Sequence, residues 1–213
     1  MILFEKNIRI DDPFPHLYVD NFLPKKIRDL LRKNFSLSNF TTAIGGCPIS
    51  DITNESSEDL IEWRNSFIIN ELIPELDIIF SDSINEKYKE LLKTNTQVSR
   101  LTKSNIGYLH LTKNHVGTTI NSHRDDDRAS YQFVFFLGDI NDCRIETTEL
   151  ISVKDIDQLE KTQDYSALRL LSYGSTNNGF LCFANQPNSY HCLSKTIKSI
   201  RMTIAGSVIH YQT

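Results

Sequence analysis

The densest chemistry in the chain lies in Asn121-Ser122-His123-Arg124-Asp125-Asp126-Asp127. Side chains two apart on a strand point to the same side. His123 and Asp125 are therefore expected to aim inward together and offer an imidazole and a carboxylate to one ion. A second histidine would complete a two-histidine, one-carboxylate set. That set leaves open positions on the metal and suits iron(II) oxygen chemistry. His-x-Asp alone is a weak signal, and its competing reading is a surface turn in a charge run through Asp127-Arg128.

The distal histidine is chosen by its surroundings. His16 lies in the N-terminal segment, His110 and His115 fall shortly before the motif, and His210 lies close to the last residue. His191 follows the apolar run Phe180-Leu181-Cys182-Phe183 and the turn-like Asn185-Gln186-Pro187-Asn188-Ser189. About ten residues later come Arg201 and Thr203, which alternate onto one face of a strand. Arginine grips a carboxylate through a bidentate fork, and a hydroxyl adds one more hydrogen bond. The expected metal ligands are thus His123, Asp125 and His191, with Arg201 and Thr203 as a carboxylate-binding pair.

These residues need a scaffold. Pro13 to Leu23 reads as an extended segment with a short strand, and a helix starts at Leu23-Pro24 with Ile27, Leu30 and Leu31 on its apolar face. Its Lys25, Lys26, Arg28, Arg32 and Lys33 read as a solvated face rather than a phosphate site. Residues 40–56, with Gly45-Gly46 and Pro48, read as a loop. Ser57-Glu58-Asp59 reads as a helix start, with Leu60, Trp63, Phe67 and Ile68 as its core stripe. A further helix is expected from Pro74 to Leu92, broken near Ser81-Asp82-Ser83. Short β-rich runs follow: Gln97–Leu101, Gly107–Thr112, Tyr131–Leu137, Phe180–Phe183 and Met202–Tyr211. Helices first and strands after predict an α+β chain whose helices buttress one β domain.

His-x-Asp, a distant His and Arg-x-Thr about ten residues on resemble the 2-oxoglutarate/iron(II)-dependent dioxygenase superfamily, nearest its prolyl 4-hydroxylase-like branch. The likeness covers roughly residues 97–211. The Pro-Phe-Pro-His-x-x-Val-Asp-Asn-Phe-Leu stretch, Gly117 and Asn178-Gly179 add to it. It implies a double-stranded β-helix, or jelly roll, with the metal in its mouth. It implies one domain over 1–213, with 1–96 mainly helical and 97–213 the jelly-roll core. It implies iron(II), 2-oxoglutarate and O2 as the reacting partners, with ascorbate as a stimulant. Arg201 would bind the distal carboxylate of 2-oxoglutarate, assisted by Thr203. Tyr108 is assigned to the co-substrate side, against a plain place in the barrel wall for it and His110. The chain departs from the pattern in two places. Residues 142–150 lack the glycines that related chains carry, and Arg201 stands where prolyl hydroxylases commonly use lysine. With Asp125 filling the carboxylate position, the resemblance implies hydroxylation or a related oxidation rather than halogenation.

Two rival readings use the same residues. A zinc hydrolase on His123, Asp125 and His191 would leave Arg201-x-Thr203 without a role. An inactive metal-binding scaffold would be expected to have lost one of these groups. The expected substrate is a free amino acid or other small metabolite, with a protein side chain as the alternative. Segments 40–56 and 141–179 are candidate lids.

Composition bounds the rest. The chain has 213 residues, 39% hydrophobic and 23% charged, enough for one core. A net charge of -4 argues against a nucleic-acid partner. No apolar run approaches the roughly 18 residues that span a bilayer. Cys47, Cys143, Cys182 and Cys192 form no Cys-x-x-Cys pair, so reduced thiols and a cytoplasmic location are expected.

Overall fold

The computed structural model describes residues 3–4, 8–42, 48–87, 103–115, 118–125, 127–138, 148–151, 170–173, 178–193 and 200–211. After Pro24, the apolar repeat forms α1 (Lys25–Leu37), which buries Leu31 and Phe35. Ser57 caps α2 (Glu58–Trp63) by accepting from the Leu60 N–H, and Glu58 and Asp59 complement its positive end. The helix continues as a π-helical stretch, Arg64–Leu72, into α3 (Ile73–Ile79). Pro74 has no N–H to give to the turn before it, and the Ile73 N–H reaches back five residues to Ile68 O. A break at Phe80, close to the expected one, separates α3 from α4 (Ser81–Lys87).

Among the described residues the strands form two antiparallel sheets. The larger has seven strands in the order β1 (His16–Val19), β9 (Phe180–Ala184), β6 (Ala129–Phe136), β11 (Arg201–Tyr211), β4 (Lys103–Asn114), β3 (Pro48–Asp51) and β2 (Thr41–Thr42). The smaller has four, in the order β5 (Ile120–His123), β10 (His191–Leu193), β7 (Thr148–Ile151) and β8 (Leu170–Tyr173). The loop expected over 40–56 is therefore corrected: it contains β2 and β3, and β3 pairs with β4. Pro48 is tolerated as the first residue of β3, beside a partner only two residues long. The N-terminal part is thus not helices alone, since it adds three strands to the larger sheet. The strand expected at Gln97–Leu101 lies outside the described residues.

Alternation along β6 explains the layering. Phe133 and Phe135 join Leu31, Trp63, Ile68, Leu72, Leu76 and Ile204 in the cluster between the larger sheet and the helices. Val134 and Phe136 belong to a second cluster with Phe14, Leu150, Leu171, Leu181 and Phe183, which lies between the two sheets. Both faces of the central strands are buried, so they read as continuous apolar runs. Gly206 allows close packing on the helix side: a Cβ there would meet the Phe133 ring at 2.4 Å. His210 belongs to that same side. Its Nε2 donates to Asp77 Oδ1 of α3 at 3.0 Å, its Nδ1 accepts from Ser130 at 2.8 Å, and Tyr131 donates to the same carboxylate at 2.7 Å. The network ties helix to sheet on the face away from the inter-sheet space.

Candidate metal centre

β5 and β10 lie side by side in the smaller sheet, and His123 and His191 are cross-strand partners. Their ring centroids are 4.3 Å apart, with the planes at 52°. Two histidines 68 positions apart thus converge through sheet register. Asp125 arrives differently from the expectation. β5 ends at His123, so the two-residue repeat of a strand does not aim the carboxylate. The chain leaves the sheet, and the Asp125 carboxylate comes to lie beside the Nε2 atoms of both rings. Its Oδ1 lies 3.5 Å from His123 Nε2 and its Oδ2 lies 3.5 Å from His191 Nε2. Each carboxylate oxygen faces a different imidazole.

The three ligand atoms lie within 4.8 Å of one another. Bonds of roughly 2.1 Å to one ion would set neighbouring ligand atoms about 3 Å apart, so a small contraction would bring all three onto an ion. Exposure is graded: the side chain of His191 is 11% exposed, Asp125 21% and His123 40%. One side of the centre is therefore anchored in the core and the other opens outward. Burial pushes the His191 imidazolium pKa down to about 4, the Asp125 charge pulling the other way. His191 is thus neutral near pH 7, the form that ligates metal. Two imidazoles and one carboxylate are a donor set that fits iron(II).

Arg201 opens β11 and is buried. Its Nη1 donates to Asn114 Oδ1 at 3.0 Å, and its guanidinium sits 5.5 Å from the centre of the Phe136 ring. Phe136 belongs to the inter-sheet cluster, and the Arg201 charge helps to keep His191 neutral. The Phe183 ring of the same cluster lies 4.9 Å from the His191 ring, so arginine and triad border one inter-sheet cluster. Thr203 is buried on the same face, in register with Thr112 and Phe136. The expectation of a shared Arg201 and Thr203 face holds.

Further along that wall, Tyr108 and His110 stack at 4.8 Å. Burial pushes the Tyr108 phenol pKa upward, and the Asp125 charge adds to the effect. Burial lowers the His110 pKa, while Asp51 and Asp125 oppose it. Both side chains thus lie within electrostatic reach of the centre. Tyr108 donates to Gln132 Oε1 at 3.3 Å. The Gln132 Nε2 is buried without a hydrogen-bond partner among the described residues. Asp127 pairs with Arg124 at 3.3 Å, as a solvated surface group would. Gly117, Asp126, Cys47, Cys143 and most of 141–179 lie outside the described residues. Sequence reasoning missed Asn114 and Gln132, whose places depend on cross-strand register rather than on any local motif.

No protein-family model matches the chain, and no curated protein sequence matches it. Solved structures do. A prolyl-4-hydroxylase from Pseudomonas putida is 13% identical, covering 92% of this chain and 93% of its own, with a TM-score of 0.59. An oxidoreductase of the 2OG-Fe(II) oxygenase family from Burkholderia pseudomallei is 6% identical over 92% and 84%, with a TM-score of 0.61. A prolyl hydroxylase from Trichoplax adhaerens, in complex with a hypoxia inducible factor peptide, is 14% identical over 92% and 83%, with a TM-score of 0.58. The fold is that of the 2-oxoglutarate/iron(II) oxygenases, prolyl hydroxylases among them. Within that fold, His123, Asp125 and His191 form a group that could hold a metal ion. No helix among the described residues is long and apolar enough to cross a membrane.

Proposed function

We propose that the chain is an iron(II) oxygenase that consumes 2-oxoglutarate and O2 to oxidise a C–H bond of a free amino acid or other small polar metabolite, releasing succinate and CO2. Hydroxylation is the simplest outcome. The observation that carries the reading is the convergence of His123, Asp125 and His191 on the space that Arg201 also enters. We read the two facing sheets as a jelly roll and residues 1–213 as one oxygenase domain, with β1, β2 and β3 built into the larger sheet.

His123, Asp125 and His191 would hold iron(II), which when bound supplies the O2 chemistry. Arg201 forms the charged end of the co-substrate site and takes the distal carboxylate of 2-oxoglutarate through its fork, with the Thr203 hydroxyl adding a hydrogen bond. Phe136, Leu150, Leu181 and Phe183 line the inter-sheet space and keep water out. Along β11, Ser207 lies beyond Thr203 and Ala205, in register with Tyr108 and Gln132, so this polar row lies on the far side of Thr203 from Arg201. The unmet Gln132 donor there suits a substrate carrying a carbonyl, carboxylate or hydroxyl oxygen.

A protein side chain is the second reading. The outward-facing His123 favours it, since an open side admits a peptide, and the Trichoplax adhaerens neighbour is bound to one. Succinate release by the iron-loaded chain, screened against free amino acids, nucleosides and proline-containing peptides, separates the two. Mass spectrometry should then show a gain of one oxygen on the stimulating compound. Release that depends on 2-oxoglutarate with no panel member oxidised would count against both substrate classes.

A further inference from the structure

We propose that Asn114 is a positioning residue that fixes the Arg201 guanidinium for the distal carboxylate of the co-substrate, an inference that rests on the oxygenase reading above. Asn114 is the last residue of β4 and the register partner of Arg201 across the β4–β11 ladder. It is fully buried. A guanidinium has five donors and no acceptor, so only the amide oxygen of Asn114 can face it. The observed contact, Nη1 to Oδ1 at 3.0 Å, has that polarity. Phe136 meets the cation from β6. Two strands on either side of β11 thus hold one side chain, and much of its rotamer freedom is lost on folding rather than on binding.

The choice of amide matters. A carboxylate at position 114 would hold the arginine as firmly but would take the fork for itself and cancel its charge. A neutral acceptor orients the cation without cancelling its charge. Asn114 should therefore act on ligands that carry a distal carboxylate and be indifferent to those that lack one. Pyruvate shares the 2-oxo acid end of 2-oxoglutarate and has no distal carboxylate.

The test is calorimetric binding of 2-oxoglutarate and of pyruvate to the full chain loaded with iron(II) under argon, with metal content measured alongside. Asn114→Ala is expected to weaken 2-oxoglutarate about five- to tenfold. Asn114→Asp is expected to weaken it further, by about a hundredfold, despite keeping size and acceptor atoms. Pyruvate affinity and metal content should stay within about twofold in both. Arg201→Ala should remove the preference for 2-oxoglutarate over pyruvate. If Arg201→Ala removes it while Asn114→Ala and Asn114→Asp both keep it, the positioning role is wrong and the oxygenase reading stands. If Arg201→Ala keeps the preference, the co-substrate assignment itself fails. Should Asn114→Ala not fold, Asn114→Asp decides alone.

Discussion

The unmet donor of Gln132 sets a stability effect that can be measured before any substrate is known. Its side chain is 3% exposed, and its Nε2 has no hydrogen-bond partner among the described residues. Leaving a buried donor unmet costs about 1–3 kcal/mol. Gln132→Met alone would relieve that cost but strip the Tyr108 hydroxyl of its acceptor, so the net change should lie within about 1 kcal/mol of zero. Tyr108→Phe with Gln132→Met removes both partners of a 3.3 Å hydrogen bond, which is long and worth about 0.5–1 kcal/mol. The balance favours the double variant by up to about 2.5 kcal/mol. For a chain of this length that is a rise in Tm of up to roughly 10 °C. Urea and thermal unfolding of the metal-free chain read this directly, and substrate-stimulated succinate release should fall at the same time. A polar group kept against stability marks a site that needs it for a ligand. A double variant less stable than the parent by about 1 kcal/mol or more would show that this row is already satisfied and serves the fold.

Replacing His191 by Ala should abolish both iron binding and turnover, since it removes one of the three proposed protein ligands; retained metal content and full activity would remove His191 from the centre. Stability should also depend on pH. Burial holds the pKa of His16 and His110 below the unfolded value near 6.5, so as pH falls through that value the unfolded chain takes up protons first and stability drops. Each contributes up to about 1.4 kcal/mol per pH unit, present above pH 6.5 and lost below it. The urea midpoint should therefore fall between pH 7.5 and 5.5, and His16→Gln should flatten the fall. An identical slope in that variant would contradict the assignment.

The convergence of His123, Asp125 and His191 was legible because chemistry restricts it: few residue types bind metal, and His123-x-Asp125 and a distant His191 stand out against ordinary turns and strands. How they meet was less legible. Asp125 looked like a strand residue, and its approach to the two Nε2 atoms depends on where β5 stops. β5, β7, β8 and β10 run four, four, four and three residues, too short for any periodicity to emerge. β3 was hidden behind Gly45-Gly46 and Pro48, residues that ordinarily mark loops. The π-helical stretch keeps enough of the apolar stripe to pass for an α-helix. Asn114 had no signal of its own, because its significance comes from Arg201, 87 positions away, through the pairing of β4 with β11.

His123, Asp125, His191 and Arg201 are proposed to hold iron(II) and 2-oxoglutarate together, an assignment tested by visible-absorption titration of the iron(II)-loaded chain with 2-oxoglutarate under argon. A weak charge-transfer band should grow to saturation, be absent in His191→Ala, and need far more 2-oxoglutarate in Arg201→Ala. No band in the parent chain at full iron loading, or an unchanged band in His191→Ala, would contradict it.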